Sequence, residues 1–218
     1  MKLDNITRML AGAALAASMI VSVPEPALAQ RAAGPGPLPV PVKIITLPCC
    51  RCLDGSVQTV NISTGSAGWT VKPPSGPVQT ATPSNNGAWT TALAPAQWLG
   101  TQNGVPGPYT FELRFRVPNC TIRPTVTLSG AFSADNGGTV TLIPGPMTPA
   151  TVTYPFGFQS TAPFTASLGP GIHTLRVSVR NQSGPVGMVL NGTITVRCPR
   201  NVETTGPIEA SADPTDDS

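Results

Sequence analysis

Few residues in this chain could do acid-base or nucleophilic chemistry, and their spacing narrows the choice further. Between Gln30 and Val202 the acids are Asp54, Glu112 and Asp135, and the single histidine is His173. Glycoside hydrolysis needs two carboxylates flanking one bond, about 5 to 9.5 Å apart. Glu112 and Asp135 are the pair that could meet that need. His173 lies in a predicted strand beside an apolar run, where a lone histidine reads as a surface or edge residue. No nucleophile elbow and no metal-binding histidine pair accompanies it. These residues predict no enzyme, no catalytic residue and no cofactor.

Binding chemistry has more support. Asp135-Asn136 stands at a strand end before Gly137-Gly138. A carboxylate beside an amide can accept from and donate to sugar hydroxyls or join a calcium shell, or the pair can hydrogen-bond its own turn backbone. Trp69, Trp89 and Trp98 offer flat apolar faces with one donor each, suited to a sugar ring or to a core. Trp98 reads as core, whereas Trp89 follows the polar run Ser84-Asn85-Asn86-Gly87. Arg114 and Arg116 share one outward strand face, and Arg176 and Arg180 another. Neighbouring strands would make of them a basic surface for acidic polymers, or simply a solvated face. The candidate ligand-binding set is Trp89, Asp135, Asn136, Arg176 and Arg180.

The cysteines are Cys49, Cys50, Cys52, Cys120 and Cys198. Zinc sites show paired cysteines two to four residues apart, twice over, and one triplet with two singletons does not fit, so no metal is expected. Two disulfides from the triplet to Cys120 and Cys198 are expected instead, with one cysteine left over.

Strands must position these groups. In Pro124–Asn136, PTVTLSGAFSADN, Val126, Leu128 and Phe132 point one way and Thr125, Thr127, Ser129 and Ala131 the other, the period of a strand with one buried face. Tyr109, Phe111, Leu113, Phe115 and Val117 alternate with Thr110, Glu112, Arg114 and Arg116. A slip of one residue there would bury Glu112 and two arginines, so the register is strongly set. Further strands are predicted over 40–47, 56–63, 69–71, 139–143, 150–154, 172–180 and 188–198. Residues 72–86 read as a long polar loop, 100–108 as turn, and Phe156, Phe158 and Phe164 as part of a proline-rich connection. With 22 Gly, 26 Pro and 11% charged residues, the composition is that of short strands broken by turns.

The first residues read as a leader: Lys2 and Arg8, an apolar run from Met9 to Val23, then Ala27-Leu28-Ala29 as a cleavage site between Ala29 and Gln30. The expected organisation is a signal peptide over 1–29, a proline-rich linker over 30–48, a β-sandwich over 49–200 and a disordered acidic tail over 201–218. The body carries eleven Lys or Arg against three acids, and Glu203–Ser218 carries five acids and no base. An exported location, periplasmic or secreted, makes acidic glycans a better partner than nucleic acid. No later window supplies the roughly 20 apolar residues of a membrane span.

From Gly87 to Cys198 the order of features resembles the galactose-binding-like jelly-roll domains of secreted bacterial proteins. The landmarks are AQWLG (96–100), YTFELRF (109–115), LSGAFSADN (128–136), FTASLGPGIHTLRVSVRN (164–181) and the glycine-containing strand 187–196. Where such domains often read Leu-Asn-Gly, this chain has Leu142-Ile143-Pro144-Gly145. The Cys49-Cys50-x-Cys52 segment followed by VNISTGSAGWTV also looks like the start of uncharacterised secreted proteobacterial proteins. The resemblance implies a two-sheet antiparallel sandwich that binds carbohydrate through loops at one end. The competing reading is a structural or assembly protein of the cell envelope that acts through protein contacts.

Overall fold

The computed structural model describes residues 41–66, 68–90, 93–153 and 157–201. The leader, with its Ala29–Gln30 cleavage site, and the tail from Val202 onward lie outside the described residues, and so does most of the expected linker.

Period-2 patterning becomes two facing sheets. The strands are β1 (Ile44–Thr46), β2 (Val57–Asn61), β3 (Thr70–Lys72), β4 (Gln79–Thr80), β5 (Leu99–Gly104) and β6 (Gly107–Val117). They continue with β7 (Thr125–Asp135), β8 (Gly138–Ile143), β9 (Ala150–Val152), β10 (Ala162–Leu168), β11 (Gly171–Asn181) and β12 (Gly184–Arg197). One sheet has seven strands in the order β4-β3-β6-β11-β8-β9, with β1 beside β6. The other has five in the order β10-β7-β12-β2, with β5 beside β12. Pairing is antiparallel throughout except for β1, which runs parallel to the second half of β6. The fold is an all-β sandwich. Among the described residues no helix is long and apolar enough to cross a membrane.

The core is the set of inward positions. Phe111, Leu113 and Phe115 of β6 and Leu175 and Val177 of β11 are fully buried, and so are Leu128 and Phe132 of β7 and Leu190, Ile194 and Val196 of β12. Each such side chain contributes about 1.5–3 kcal/mol on burial. The pairing Arg176↔Glu112, with Leu175↔Leu113 and Val177↔Phe111 beside it, keeps all charges of β6 and β11 on the outer face, as the register argument requires.

Several expectations need correction. The strand expected within 40–47 is shorter, β1 at Ile44–Thr46, and the buried Leu47 donates its N–H to the carbonyl of Arg116. Residues 99–104 form β5 instead of a turn, and β4 interrupts the long polar loop. Phe164 belongs to β10, where Ala162, Phe164, Ala166 and Leu168 alternate inward, and the prolines nearby hide a regular period. His173 is not a surface residue. It shares the inward parity of Leu175, each ring nitrogen lies 2.9 Å from a carbonyl oxygen, of Pro144 and of Gly169, and the ring stacks on Phe115.

The cysteines follow the expected plan. Cys49 is bonded to Cys120 and Cys50 to Cys198, which leaves Cys52 as an exposed thiol. Because β1 runs beside β6, its exit delivers the triplet to the end where β6 and β12 finish.

Candidate functional site

The outer face of the five-stranded sheet is not left to solvent everywhere. On β7 and β12 the outward residues Ser133, Asp135, Gly187 and Val189 are buried too. They are covered by residues 81–90 and 93–98 and, over Ser133, by the helical turn at 157–159, whose Gly157 carbonyl accepts from the Ser133 hydroxyl at 2.8 Å. Residues 81–90 and 93–98 are pinned at several points: Ser84 donates its N–H to the carbonyl of Trp98, Gly100 to Thr82, Gln97 to Thr64, and the Asn191 amide to Ala94. A side-chain oxygen of Asn86 accepts from the N–H of Ala88, and its carbonyl accepts from Trp89, which turns the chain down onto the sheet.

Trp89 and Trp98 then form a second small core with Val189, against which Leu93, Ala96 and Phe158 pack. The two indoles stack with centroids 4.6 Å apart and planes at 23°, a favourable offset geometry. Trp89 fits because position 187 is glycine. A Cβ there would stand 2.7 Å from the indole and 2.8 Å from the carbonyl oxygen of Leu99.

The Trp89 indole N–H donates to Oδ2 of Asp135 at 2.6 Å. Asp135 is 5% exposed, and its other oxygen has no partner among the described residues, nor has the side-chain oxygen of Asn136. Burial pushes the Asp135 carboxyl above the usual range, partly opposed by the indole hydrogen bond. The Asn136 carbonyl accepts from Gly157, so this turn is tied to the 157–159 helical turn rather than closed on itself.

Beside the indole pair lies an open cleft of about 490 Å³ lined by Pro83, Ser84, Asn85, Trp89, Ala96, Gln97 and Trp98. Each tryptophan is under 10% exposed, so the pair presents edges rather than whole faces. The groups able to hydrogen-bond a ligand are Ser84, Asn85 and Gln97, which residue type alone had not singled out. The signal that could have found them is their position flanking Trp89 and Trp98 on one covering segment.

The candidate residues divide between two places. Trp89, Asp135 and Asn136 are brought together, with the last two beneath the first and outside the lining of the cleft. Arg176 and Arg180 lie on the outer face of the other sheet. There β6 and β11 are neighbours, and Glu112 takes Arg176 in a close ion pair of 2.6 Å and Arg114 at 3.7 Å. Glu112 and Asp135 therefore sit on different sheets and cannot flank one bond. Four cysteines are closed in disulfides, and no group of three potential metal ligands from His, Cys, Asp and Glu occurs among the described residues.

No protein-family model and no curated protein matches the chain. Solved structures with partial likeness include an FMN-binding β-glucuronidase from Facaelibacterium prausnitzii L2-6, at 16% identity and TM-score 0.38, covering 65% of this chain and 23% of that one. Another is a cycloisomaltooligosaccharide glucanotransferase from Paenibacillus sp. complexed with cycloisomaltoheptaose, at 15% identity and TM-score 0.32, covering 71% and 20%. A third is the Arthrobacter globiformis T6 isomalto-dextranase complexed with panose, at 10% identity and TM-score 0.28, covering 65% and 32%. The chain thus spans a fifth to a third of the length of these proteins. Likenesses this remote say nothing of ligand or activity.

Proposed function

We propose that the chain is an exported, non-catalytic binding module of the galactose-binding-like kind that takes a carbohydrate in the cleft beside Trp98. The observation that carries this reading is the cleft itself: an apolar indole edge next to a hydroxyl, an amide and a second amide, from Ser84, Asn85 and Gln97. A sugar ring offers apolar C–H faces and hydroxyls in that combination, and a pocket of this size holds one or two rings. The partner is then a glycan or envelope polysaccharide, not nucleic acid, and no cofactor is called for. Export, with the leader removed at Ala29–Gln30, agrees with two disulfides, which persist in oxidising compartments.

The experiment is a glycan array with the purified protein, followed by the variants N85A and Q97A, both of exposed residues. Retention of a specific glycan that falls in both variants, with unchanged melting temperature, supports the reading. Retention untouched by either, or no retention of any glycan, sinks it. Loss of the cleft reading would favour the envelope assembly alternative, for which the specific observation is that Ile44, Ile143 and Ile172 are exposed on the outer face of the seven-stranded sheet, among Arg114, Arg116 and Thr174.

A further inference from the structure

Arginines without counter-charges gather at the end of the sandwich remote from the Trp89–Trp98 pair. Asp135, beneath Trp89, closes β7, and Thr125 opens it; the length of that strand puts roughly 35 Å between the two ends. At the near end Thr125 pairs with Arg197, the last residue of β12. Residues 53–56 fix the chain that follows: Cys198 donates its N–H to the carbonyl of Ser56, Gly55 to Pro199 and Asn201 to Leu53. Gly55 has a φ of +70°, and a Cβ there would run into the Arg200 side chain, so glycine lets Arg200 lie across the main chain. The result is an open cleft of about 450 Å³ lined by Gly55, Thr125, Arg197, Cys198, Pro199 and Arg200.

Two more arginines flank it. Arg51 adjoins Cys50, whose Cα lies 5.5 Å from that of Cys198, so Arg51 comes within about 10 Å of Cys198. Arg123 precedes Thr125 by two residues, which places it within about 13 Å of Arg197. Arg51, Arg123, Arg197 and Arg200 are all exposed.

No acid answers them. Among the described residues the acids are Asp54, Glu112 and Asp135. Glu112 is occupied by Arg114 and Arg176 on the outer face of the other sheet, and Asp135 lies at the far end of β7. Asp54 is bridged to Arg200 through the main chain, but its carboxylate accepts from the Ser56 N–H at 2.8 Å and the Cys52 thiol at 3.1 Å, and it forms no ion pair among the described residues. The guanidinium groups are therefore left as planar forks for oxyanions. They cover more ground than one small anion can bridge, so the partner that satisfies them carries several charges along a chain. No aromatic side chain lines the cleft, and the bases of a single-stranded nucleic acid would find no stacking platform there, whereas Thr125 supplies a hydroxyl to the neutral groups of a sugar.

We propose that this end binds a linear anionic polysaccharide, with one charged group seated in the cleft between Arg197 and Arg200 and neighbouring ones on Arg51 and Arg123. The reading stands or falls apart from the carbohydrate cleft beside Trp98, which lies at the other end of β7 and recognises rings and hydroxyls rather than charge.

The experiment titrates heparin, a sulfated linear polysaccharide, into the ¹⁵N-labelled full chain. Amides of Gly55, Thr125, Arg197, Cys198 and Arg200 should shift, and those around Trp98 should not. Binding should weaken log-linearly with added salt, as displacement of counter-ions requires. R197Q with R200Q should weaken heparin on the order of tenfold and lower the salt slope by about 1 to 2. R51Q with R123Q, both outside the lining of the cleft, should weaken it several-fold with an unchanged melting temperature, so a loss of fold in the first pair would not hide the answer. R180Q, on the outer face of the other sheet, should leave heparin binding unchanged, and so should N85A, which separates this outcome from that of the tryptophan cleft. No binding, shifts on another face, affinity unchanged in either arginine pair, an equal loss in R180Q, or a DNA duplex bound as tightly as heparin at the same salt overturns the proposal.

Discussion

Asp135 accepts one hydrogen bond, from Trp89, while its second oxygen is buried without a partner. A carboxyl whose folded value is raised by burial holds its proton more tightly in the native state than in the unfolded one. Its contribution to stability is therefore greatest below the unfolded value and declines as pH rises through the folded one. Asp135→Asn removes the charge and keeps an acceptor for the indole, so the variant should be at least as stable as the parent at pH 7 and should lose this part of the pH dependence in denaturant titrations. Trp89→Phe removes the donor and should cost about 1–3 kcal/mol, less in the Asp135→Asn background, because the two residues form one unit. Equal costs in both backgrounds would show that the hydrogen bond does not couple them. Asp54 is held down to about 2, chiefly by the Ser56 N–H and then by the Cys52 thiol, and that thiol is in turn pushed up by the carboxylate. Alkylation of Cys52 should accordingly speed up in Asp54→Asn. That Asp135 and Trp89 would be the ones to meet was not legible in the sequence, since 46 residues separate them and a carboxylate before two glycines reads equally well as a turn.

The covering segment 81–98 shows how an element can be hidden by its composition. It has no periodicity, yet it is bound to the sheet at both ends and in the middle, because β12 offers it a glycine where an indole has to lie. Gly187→Ala should displace Trp89, lower stability by roughly 1–3 kcal/mol as overpacking does, and red-shift the tryptophan fluorescence. An unshifted spectrum would mean that the indole is not seated there. Strands β6, β7, β11 and β12 were legible because large apolar residues alternate with polar ones over ten or so positions. Leu128→Ala in β7, at a fully buried site, should cost about 2–5 kcal/mol. Strand β10 is faint in the sequence because two of its inward positions are alanine, and β5 because its residues are largely exposed; a short edge strand owes its order to its neighbour.

Across the whole molecule, two disulfides staple the entry of the chain to the ends of β6 and β12. The Cys50–Cys198 bond joins residues 148 apart, so the pair Cys50→Ser, Cys198→Ser should lower stability by about 2–5 kcal/mol, read from the shift in denaturation midpoint; no shift would show that the cross-link restrains little. Sequence by itself determined that the chain is built of strands, which residues of β6, β7, β11 and β12 alternate inward, His173 apart, and that the triplet of cysteines reaches out to Cys120 and Cys198. Those properties are local, set by side-chain parity along an extended backbone and by the scarcity of alternatives for a thiol. Only the tertiary structure decided that Arg176 is neutralised by Glu112, that Asp135 lies beneath Trp89, and that a cleft opens beside Ser84, Asn85 and Gln97. Each of these depends on which strands become neighbours and on what covers an outer face, and such long-range pairing leaves no period in the sequence to be read.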